Sequence, residues 1–580
     1  MRATRLSLAI GIVPAMVVAG LVLSIPCLAQ QAGTAGIYGS VTDAQGGAIP
    51  GAKVTLTHVE RNQVRETTTN QLGQYSFPLL PIGSYNITIQ QPGFKAFVKT
   101  GIVLQVNDNA KIDATLEVGD INTRVQVEAA SVTVETSSAT IKNVVDGKRV
   151  LELPLNGRNV LQLGLLVPGA VNAGGSVTGG AKSPADNQQF SINGSRQNTT
   201  RFTLDGGDNQ DNLTNVNAPY PFPDAVEEFS VQTSNMSAEV GKSSAAAVNV
   251  VTKSGTNEFH GSGFWFVRNY NFNAGSYFLH QSDNLKRNQT GFTLGGPVVK
   301  DKLFFFGGIQ RTWYRTMPTE SKALTMPGAH RSGNFADLLA RSKPVTLLDP
   351  TNGQPFAGNL IPSSRFSPAA VNLLKLSPVP GADGYTYWRN VTNEDPREYI
   401  LRVDWRPNAK HNLLGRYLQN TDPTIAGFDK ANIHSVVQSQ WSFSKNATMG
   451  YTLIVSPTLV ADTHITMSRT TGKRGYDFPY TIADFGVKAN PTSNQIAVSF
   501  SGTSGTKAPS TPNPPAVFAR TNIEWTHSWR WIKGRHSMVA GTDIMFSRYN
   551  EYNTFHGSGN FSFNGRYTNY DEADYLLGLM

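Results

Sequence analysis

From Gly261 onward the chain repeats one pattern: segments of roughly ten residues in which apolar and polar side chains alternate, separated by long stretches rich in Asn, Gly, Ser and Pro. A period of two makes each segment a strand with one apolar and one polar face. In Ile400–Arg406, Leu401, Val403 and Trp405 alternate with Arg402, Asp404 and Arg406. Met449, Tyr451 and Leu453 alternate with Thr448, Gly450 and Thr452, and Ile465 and Met467 with Asp462, His464, Thr466 and Ser468. Ile523, Trp525 and Trp529 lie opposite Asn522, Glu524, Thr526 and Ser528. One such strand would serve equally in a soluble sandwich. Aromatic clusters near the strand ends, at Phe264–Phe266, Phe304–Phe306, Trp313-Tyr314, Trp525, Trp529 and Trp531, favour a membrane barrel, where such rings form interfacial girdles. On this reading residues 259–580 are part of a transmembrane antiparallel β-barrel, and Arg402, Asp404, Arg406, Arg416, Asp462, His464 and Glu524 face its lumen, where a charge stays hydrated. The inserts Met317–Asn393 and Gly472–Ala516 are too long and polar for tight turns and are expected as extracellular, ligand-gripping loops.

Composition narrows the alternatives. Charged residues are 16% of the 580, well under the roughly 25% of ordinary soluble domains, yet mean hydropathy is −0.26. Abundant aromatics argue against disorder, and the lack of repeated apolar runs of about 20 residues argues against a helical membrane bundle. The chain carries a formal charge of +9, but its Lys and Arg are scattered singly and form no nucleic-acid footprint. Arg2 and Arg5 precede an apolar run from Leu6 to Leu23, and the small residues Cys27 and Ala29 follow, the pattern of a secretory signal peptide over residues 1–29. A membrane anchor is the alternative, disfavoured by Gly11, Pro14 and Gly20. Cleavage after Ala29 removes Cys27, the one cysteine, and with it any disulfide or thiolate site.

Between residues 33 and 118, period-two sets recur (Ile37 with Val41, Val54 with Leu56, Tyr75 with Phe77, Ile87 with Ile89, Ile102 with Leu104, Ile112 with Leu116) between turns such as Pro50-Gly51 and Pro92-Gly93. About seven strands in a β-sandwich are expected. The runs GIYGSVTDAQGGAIPGAKVTL and GQYSFPLLPIGSYNITIQQPGFK resemble the carboxypeptidase regulatory-like domain, a transthyretin-like, carbohydrate-binding-like fold. No histidine has Glu three residues on, so the zinc set of the peptidase itself is missing and peptidase activity is not expected.

Residues 119–258 begin with TRVQVEAASVTVETSSA, either an edge strand or a plain linker, and continue with LPLNGRN, FSINGSRQNTTRFTLDGGDNQD and PDAVEEFSVQTSNMSAEVGKSSAAAVNVVTKSGTNEFHG. In this order they resemble the α+β plug of TonB-dependent outer-membrane transporters, in particular the Oar-like subgroup that carries a regulatory-like domain. The resemblance marks Leu153, Pro154, Asn156, Gly157, Arg158, Asn159, Asp205, Gly206, Gly207, Glu228 and Gly241 as plug-motif residues. It also makes Thr123, Arg124, Val125, Gln126, Val127 and Glu128 the position-matched candidate for the energy-coupling TonB box. Glycines 157, 194, 206, 207 and 241 are expected at turns with positive φ. Asp205, Asp208 and Asp211 lack the spacing of a calcium loop and are expected to serve turns. TGFTLGGPVVKDKLFFFGGIQRT resembles the second and third barrel strands of the same subgroup, with one strand ending at Gly295–Pro297.

The fold expected is therefore mainly β: a transthyretin-like sandwich, an α+β plug and the N-terminal half of a barrel. About ten strands are countable against about 22 in plugged transporters, and YTNYDEADYLLGLM resembles a mid-barrel motif, so a C-terminally truncated chain is expected. The resemblance implies an exported outer-membrane receptor whose partners are membrane lipid, the TonB complex and a glycan, peptide or metal-chelate ligand. A carbohydrate-binding, adhesive surface protein is the alternative. No cofactor, metal, nucleic-acid partner or catalytic set is expected.

Overall fold

The computed structural model describes residues 35–580 except 122, 129–139, 173–189, 197, 214, 237, 242–243, 275–284, 317–319, 477, 513–514, 534–535 and 555–556. The signal-peptide expectation at 1–29 falls outside the described residues, as do Val132 and Val134 of the TRVQVEAASVTVETSSA stretch.

Strands β1 (Ala35–Asp43), β2 (Lys53–His58), β3 (Gln63–Thr68), β4 (Gln74–Leu80), β5 (Gly83–Gln90), β6 (Ala96–Leu104), β7 (Asn109–Lys111) and β8 (Ala114–Leu116) form the two sheets of a sandwich. One sheet has β1 between β4 and β7, with β8 also on β1; the other runs β3-β2-β5-β6 and ends on a further strand, residues 124–128. Ile37, Val41, Val54, Leu56, Phe77, Ile87 and Ile89 fill the space between them, as their alternation requires. The sequence reading missed β3. Its Gln-Val-Arg-Glu-Thr-Thr is too polar to read as a strand because it forms a sheet edge, where one side faces solvent and charges are tolerated. Strand β9 (Arg124–Glu128) is the coupling-segment candidate. It adds to this sandwich as an edge strand, parallel to β6 from Ala96↔Arg124 to Thr100↔Glu128.

The plug is a five-stranded sheet of β10 (Ile141–Asp146), β11 (Thr200–Leu204), β12 (Gly207–Asp208), β13 (Val226–Ser234) and β14 (Ala246–Thr252), in the order β10-β13-β14-β11-β12. Only β11 and β14 pair in parallel. Strand β14 lies at the centre and is buried along its whole length, since Ala246 and Ala247 bring the backbone close and the valines pack on both faces.

The barrel portion is a ten-stranded sheet: β15 (His260–Asn269), β16 (Leu285–Val299), β17 (Leu303–Thr316), β18 (Thr392–Glu394), β19 (Arg397–Asn408), β20 (His411–Ala426), β21 (Ser439–Ser456), β22 (Leu459–Gly475), β23 (Ala516–Lys533) and β24 (His536–Asn553). Neighbours in sequence are neighbours in the sheet. Both β18 and β19 pair with β17 and β20, so they are two halves of one strand, broken at Asp395-Pro396 where proline cannot donate to the ladder. Burial is inverted relative to a soluble sheet. Leu401, Val403 and Trp405 are 52%, 37% and 47% exposed, whereas Asp404 and Arg416 are 6% and 3%. An apolar outside around a polar, occupied inside is stable only in hydrocarbon.

Short turns at 300–302, 409–410 and 457–458 close one end of the sheet, and there the sandwich docks: Arg406 donates to the Val64 carbonyl (3.0 Å) and the Asn257 N–H to that of Glu60 (3.1 Å). At the other end the long connections fold on one another around two apolar clusters. Met326, Phe335, Leu338 and Leu347 belong to one, Ile433, Val436, Tyr476 and Phe485 to the other.

Five expectations need correction. Phe304 and Phe306 are buried inward and only Phe305 of that trio faces out, because consecutive strand residues cannot share a face. Strand β16 runs through Pro297 to Val299 with a register shift, and Gly472–Gly475 belongs to β22, not to the loop after it. The segment YTNYDEADYLLGLM forms no barrel strand; Asp571–Leu577 is a helix whose Ala573, Tyr575 and Leu576 pack into the loop layer. Gly207 lacks the positive φ found at Gly157, Gly194, Gly206 and Gly241.

Candidate functional site

The plug meets the barrel wall through buried charge. Asp205 occupies the turn between β11 and β12 with φ +49°, next to Gly206 at +83°. Its carboxylate accepts from the Thr252 N–H (2.9 Å) and hydroxyl (3.0 Å) within the plug, and from Arg402 (3.1 Å) and Arg416 (3.1 Å) of the wall. Arg402 also forks onto Asp404 through two bonds of 2.9 Å. Arg416 reaches the Leu204 carbonyl, Asn446 and Thr448, so its guanidinium is satisfied on plug and wall together. The turn itself approaches closely. A Cβ at Gly207 would overlap the Thr466 hydroxyl and crowd that of Thr448, and the requirement for glycine there is space, not backbone angle.

The seam continues around the wall. Glu524 accepts from Arg201 (3.1 Å) and from the Asp208 N–H (2.8 Å), Asn446 donates to the Asp208 carbonyl (3.1 Å), Arg520 pairs with Asp211, and Arg530 with Glu239 (2.6 Å) beside Gly241. The three aspartates weighed as a calcium loop thus have separate partners, Asp208 taking the Asn212 amide at 3.1 Å. Among the described residues no group of His, Cys, Asp and Glu has metal-binding geometry.

The Leu153–Asn159 motif fixes the other side of the plug to the first barrel strands. Leu153 packs on the plug core and Pro154 is exposed. Asn156 accepts from Arg268 (3.1 Å), the Gly157 carbonyl accepts from Gln289 (3.2 Å), and Asn159 caps the Leu161 N–H (3.0 Å). Arg158, at φ +62°, pairs with Asp224 and stacks over Phe264 and Phe266 at 4.4 and 4.1 Å.

Asp462 and His464 form a pair (2.9 Å), with Thr452 donating to Asp462 (2.5 Å). They line a cavity of about 210 Å³ closed on the short-turn side by His58, Glu60 and Arg61 of the sandwich. Burial pushes the Glu60 carboxyl up, but hydrogen bonding from His58 and its own backbone, together with the His58 charge, outweighs it and holds Glu60 at about 2. Glu228 sits where sandwich and plug touch and accepts the Val106 N–H (2.7 Å); burial drives its carboxyl up to about 8.

Sequence reasoning overlooked Arg201, Asp224, Asn446 and Arg520. Arg201 carried a signal: it opens Arg-Phe-Thr-Leu, a charge within an apolar strand, which calls for a buried counter-ion.

Residues 36–117 match the model of the carboxypeptidase regulatory-like domain. Residues 251–580, more than half of the chain, match the outer membrane beta barrel domain. The chain belongs to the outer-membrane β-barrel family. The chain is 31% identical over 324 residues to the TonB-dependent transporter Oar of Myxococcus xanthus, a match that covers 53% of this chain and 29% of that protein. Among solved structures, the siderophore receptor PirA of Acinetobacter baumannii overlaps with a TM-score of 0.41 at 13% identity, over 70% of this chain and 48% of that one. The outer membrane transporter YddB of Escherichia coli gives 0.42 at 11% identity, over 71% and 48%. The chain spans less than a third of the length of the curated relative and about half of each solved one.

Proposed function

We propose that this chain is the plug-bearing part of a TonB-dependent outer-membrane transporter that captures its ligand on the extracellular loop layer and passes it through the lumen by energy-coupled movement of the plug. The plug–wall seam carries the reading. A plug meant only to seal would be held best by apolar packing; this one is held along its wall side by Asp205 with Arg402 and Arg416, Arg201 with Glu524, and Asp211 with Arg520. Each of these groups can exchange its partner for water as the plug shifts.

Thr123–Glu128 is the proposed coupling segment. Among the described residues β9 is the last strand of its sheet, with no strand paired to its outer edge, which suits strand addition, and it lies in the chain between the sandwich and the plug. The ligand would be a glycan, peptide or metal chelate, and nothing covalent happens to it.

The test uses the barrel in its native host. A photo-crosslinker at position 125 should capture the periplasmic domain of TonB, and Val125→Pro should abolish accumulation of labelled chelates, oligosaccharides or peptides while leaving cold surface binding intact. Accumulation that persists in cells lacking TonB would instead identify an adhesive, carbohydrate-binding surface protein.

A further inference from the structure

The strand register places a row of cations on the outer, lipid-facing side of the barrel. Lys445 of β21 pairs across the sheet with Arg469 of β22, Arg469 with Thr521 of β23, and Thr521 with Arg548 of β24. Lys473 follows four residues further along β22, opposite Trp441. All four occupy outward positions: Lys445, Arg469 and Lys473 lie beside the buried, inward Ser444, Asn446, Ser468 and Arg474, and Arg548 shares the face of its cross-strand partner Thr521, which lies beside the buried Asn522. None of the four pairs with a carboxylate among the described residues. Lys445 lies 4.9 Å from the Phe443 ring, Lys473 lies 5.6 Å from that of Trp441, and Arg469 donates to the Thr521 hydroxyl (3.1 Å). On the short-turn side of the row the outer face is apolar, with Ala447 beside Met467, Met467 beside Ile523 and Ile523 beside Phe546.

The height of the row decides its meaning. The Arg469↔Thr521 pair lies ten residues along the ladder from Leu459↔Trp531, the tryptophan at the short-turn end. Ten residues at about 3.4 Å each, tilted by about 40°, rise roughly 26 Å, against an apolar band of about 25 Å in barrels of this kind. The cations therefore stand at the far boundary of the hydrocarbon, on the side of the long loops, which is the outer leaflet. At mid-membrane they would be strongly destabilising; at the boundary they are stable where they meet fixed negative charge.

We propose that Lys445, Arg469, Lys473 and Arg548 form a binding site for the phosphate groups of an anionic lipid of the outer leaflet, with Met467, Ile523 and Phe546 on the membrane side of the row against the base of its acyl chains. The probe is bisphosphorylated lipid A, with its dephosphorylated form as control, added to the detergent-solubilised chain and read by native mass spectrometry. At roughly fivefold per cation, the variant K445Q/R469Q/K473Q/R548Q should bind the phosphorylated lipid at least about 100-fold more weakly, and the dephosphorylated lipid should bind the unaltered chain no better than that. The variant K300Q/K410Q, altered at the short turns, should bind like the unaltered chain, and millimolar inorganic phosphate should not displace the lipid. Equal binding by the quadruple variant, equal loss in the turn variant, tight binding of the dephosphorylated lipid, or full displacement by free phosphate would each overturn the proposal. Unchanged protease resistance of the plug in the quadruple variant shows that a loss does not come from misfolding.

Discussion

Arg201 of the plug and Glu524 of the barrel wall meet at 3.1 Å with both side chains 2% exposed, although 323 residues separate them in the chain. A pair this deep is strongly destabilising when only one partner is removed and close to neutral when both are replaced by apolar groups of similar size. Arg201→Met should weaken plug docking by about 3–5 kcal/mol, measured as the urea concentration at which protease first cuts the plug. Arg201→Met combined with Glu524→Met should recover most of that loss. A double variant as weak as the sum of the single ones would show that the two residues do not act as a pair.

Gly207→Ala should fail through space alone. The added methyl meets the Thr466 and Thr448 hydroxyls. An overpacked contact of this kind costs about 1–3 kcal/mol. Thr466→Ser would leave the clashing oxygen in place and should not rescue it, whereas Thr466→Gly should, as read by the same proteolysis midpoint.

The sandwich–plug contact should loosen in alkali. Burial raises Glu228 to about 8, so the folded state favours its protonated form. That contribution is fully present below the ordinary carboxyl range and is lost as pH rises through about 8. Hydrogen exchange at the Val106 amide should accelerate across that range beyond its intrinsic pH dependence. Glu228→Gln should remove the excess; an unchanged excess in the variant would assign it elsewhere.

Two buried histidines give the loop layer opposite pH limbs. Burial lowers His330, but hydrogen bonds and charge from Glu572 (2.5 Å) and Asp337 (2.8 Å) outweigh it and raise the imidazole above its usual value, with Phe335 and Tyr570 against the ring. Its contribution is present at low pH and lost as pH rises through that raised value. His434, bonded to Ser377 (2.8 Å) and beside Trp388, is depressed to about 4 by burial and by Lys507 and Arg331, so it withdraws stability as pH falls from about 6.5 towards 4. Protease resistance of the layer should therefore peak between the two limbs. His330→Gln should flatten the alkaline limb and His434→Gln the acid one; a profile that neither variant changes would refute both assignments.

Much of this architecture was legible because it is local. Alternation with period two assigns Leu401, Val403 and Trp405 to one face and Arg402, Asp404 and Arg406 to the other, whatever lies beside the strand. The same rule located the sandwich core at Ile37, Val54 and Ile87 and the central plug strand at Val248–Val251. It also holds the reason that Phe304 and Phe306 could not join Phe305 in an outer girdle.

Alternation names a face but not a partner, and the partners were set by the tertiary structure. Asp205 finds Arg402 and Arg416 at separations of 197 and 211 residues, which only strand register and the seating of the plug bring together. The same seating turns Gly207 from a turn glycine into a contact glycine, because the constraint comes from Thr466 across the seam. Polar β3, the Asp571–Leu577 helix and the docking of the sandwich on the short turns belong to this second class. Each depends on which surface arrives beside the segment, and a one-dimensional pattern carries no term for that.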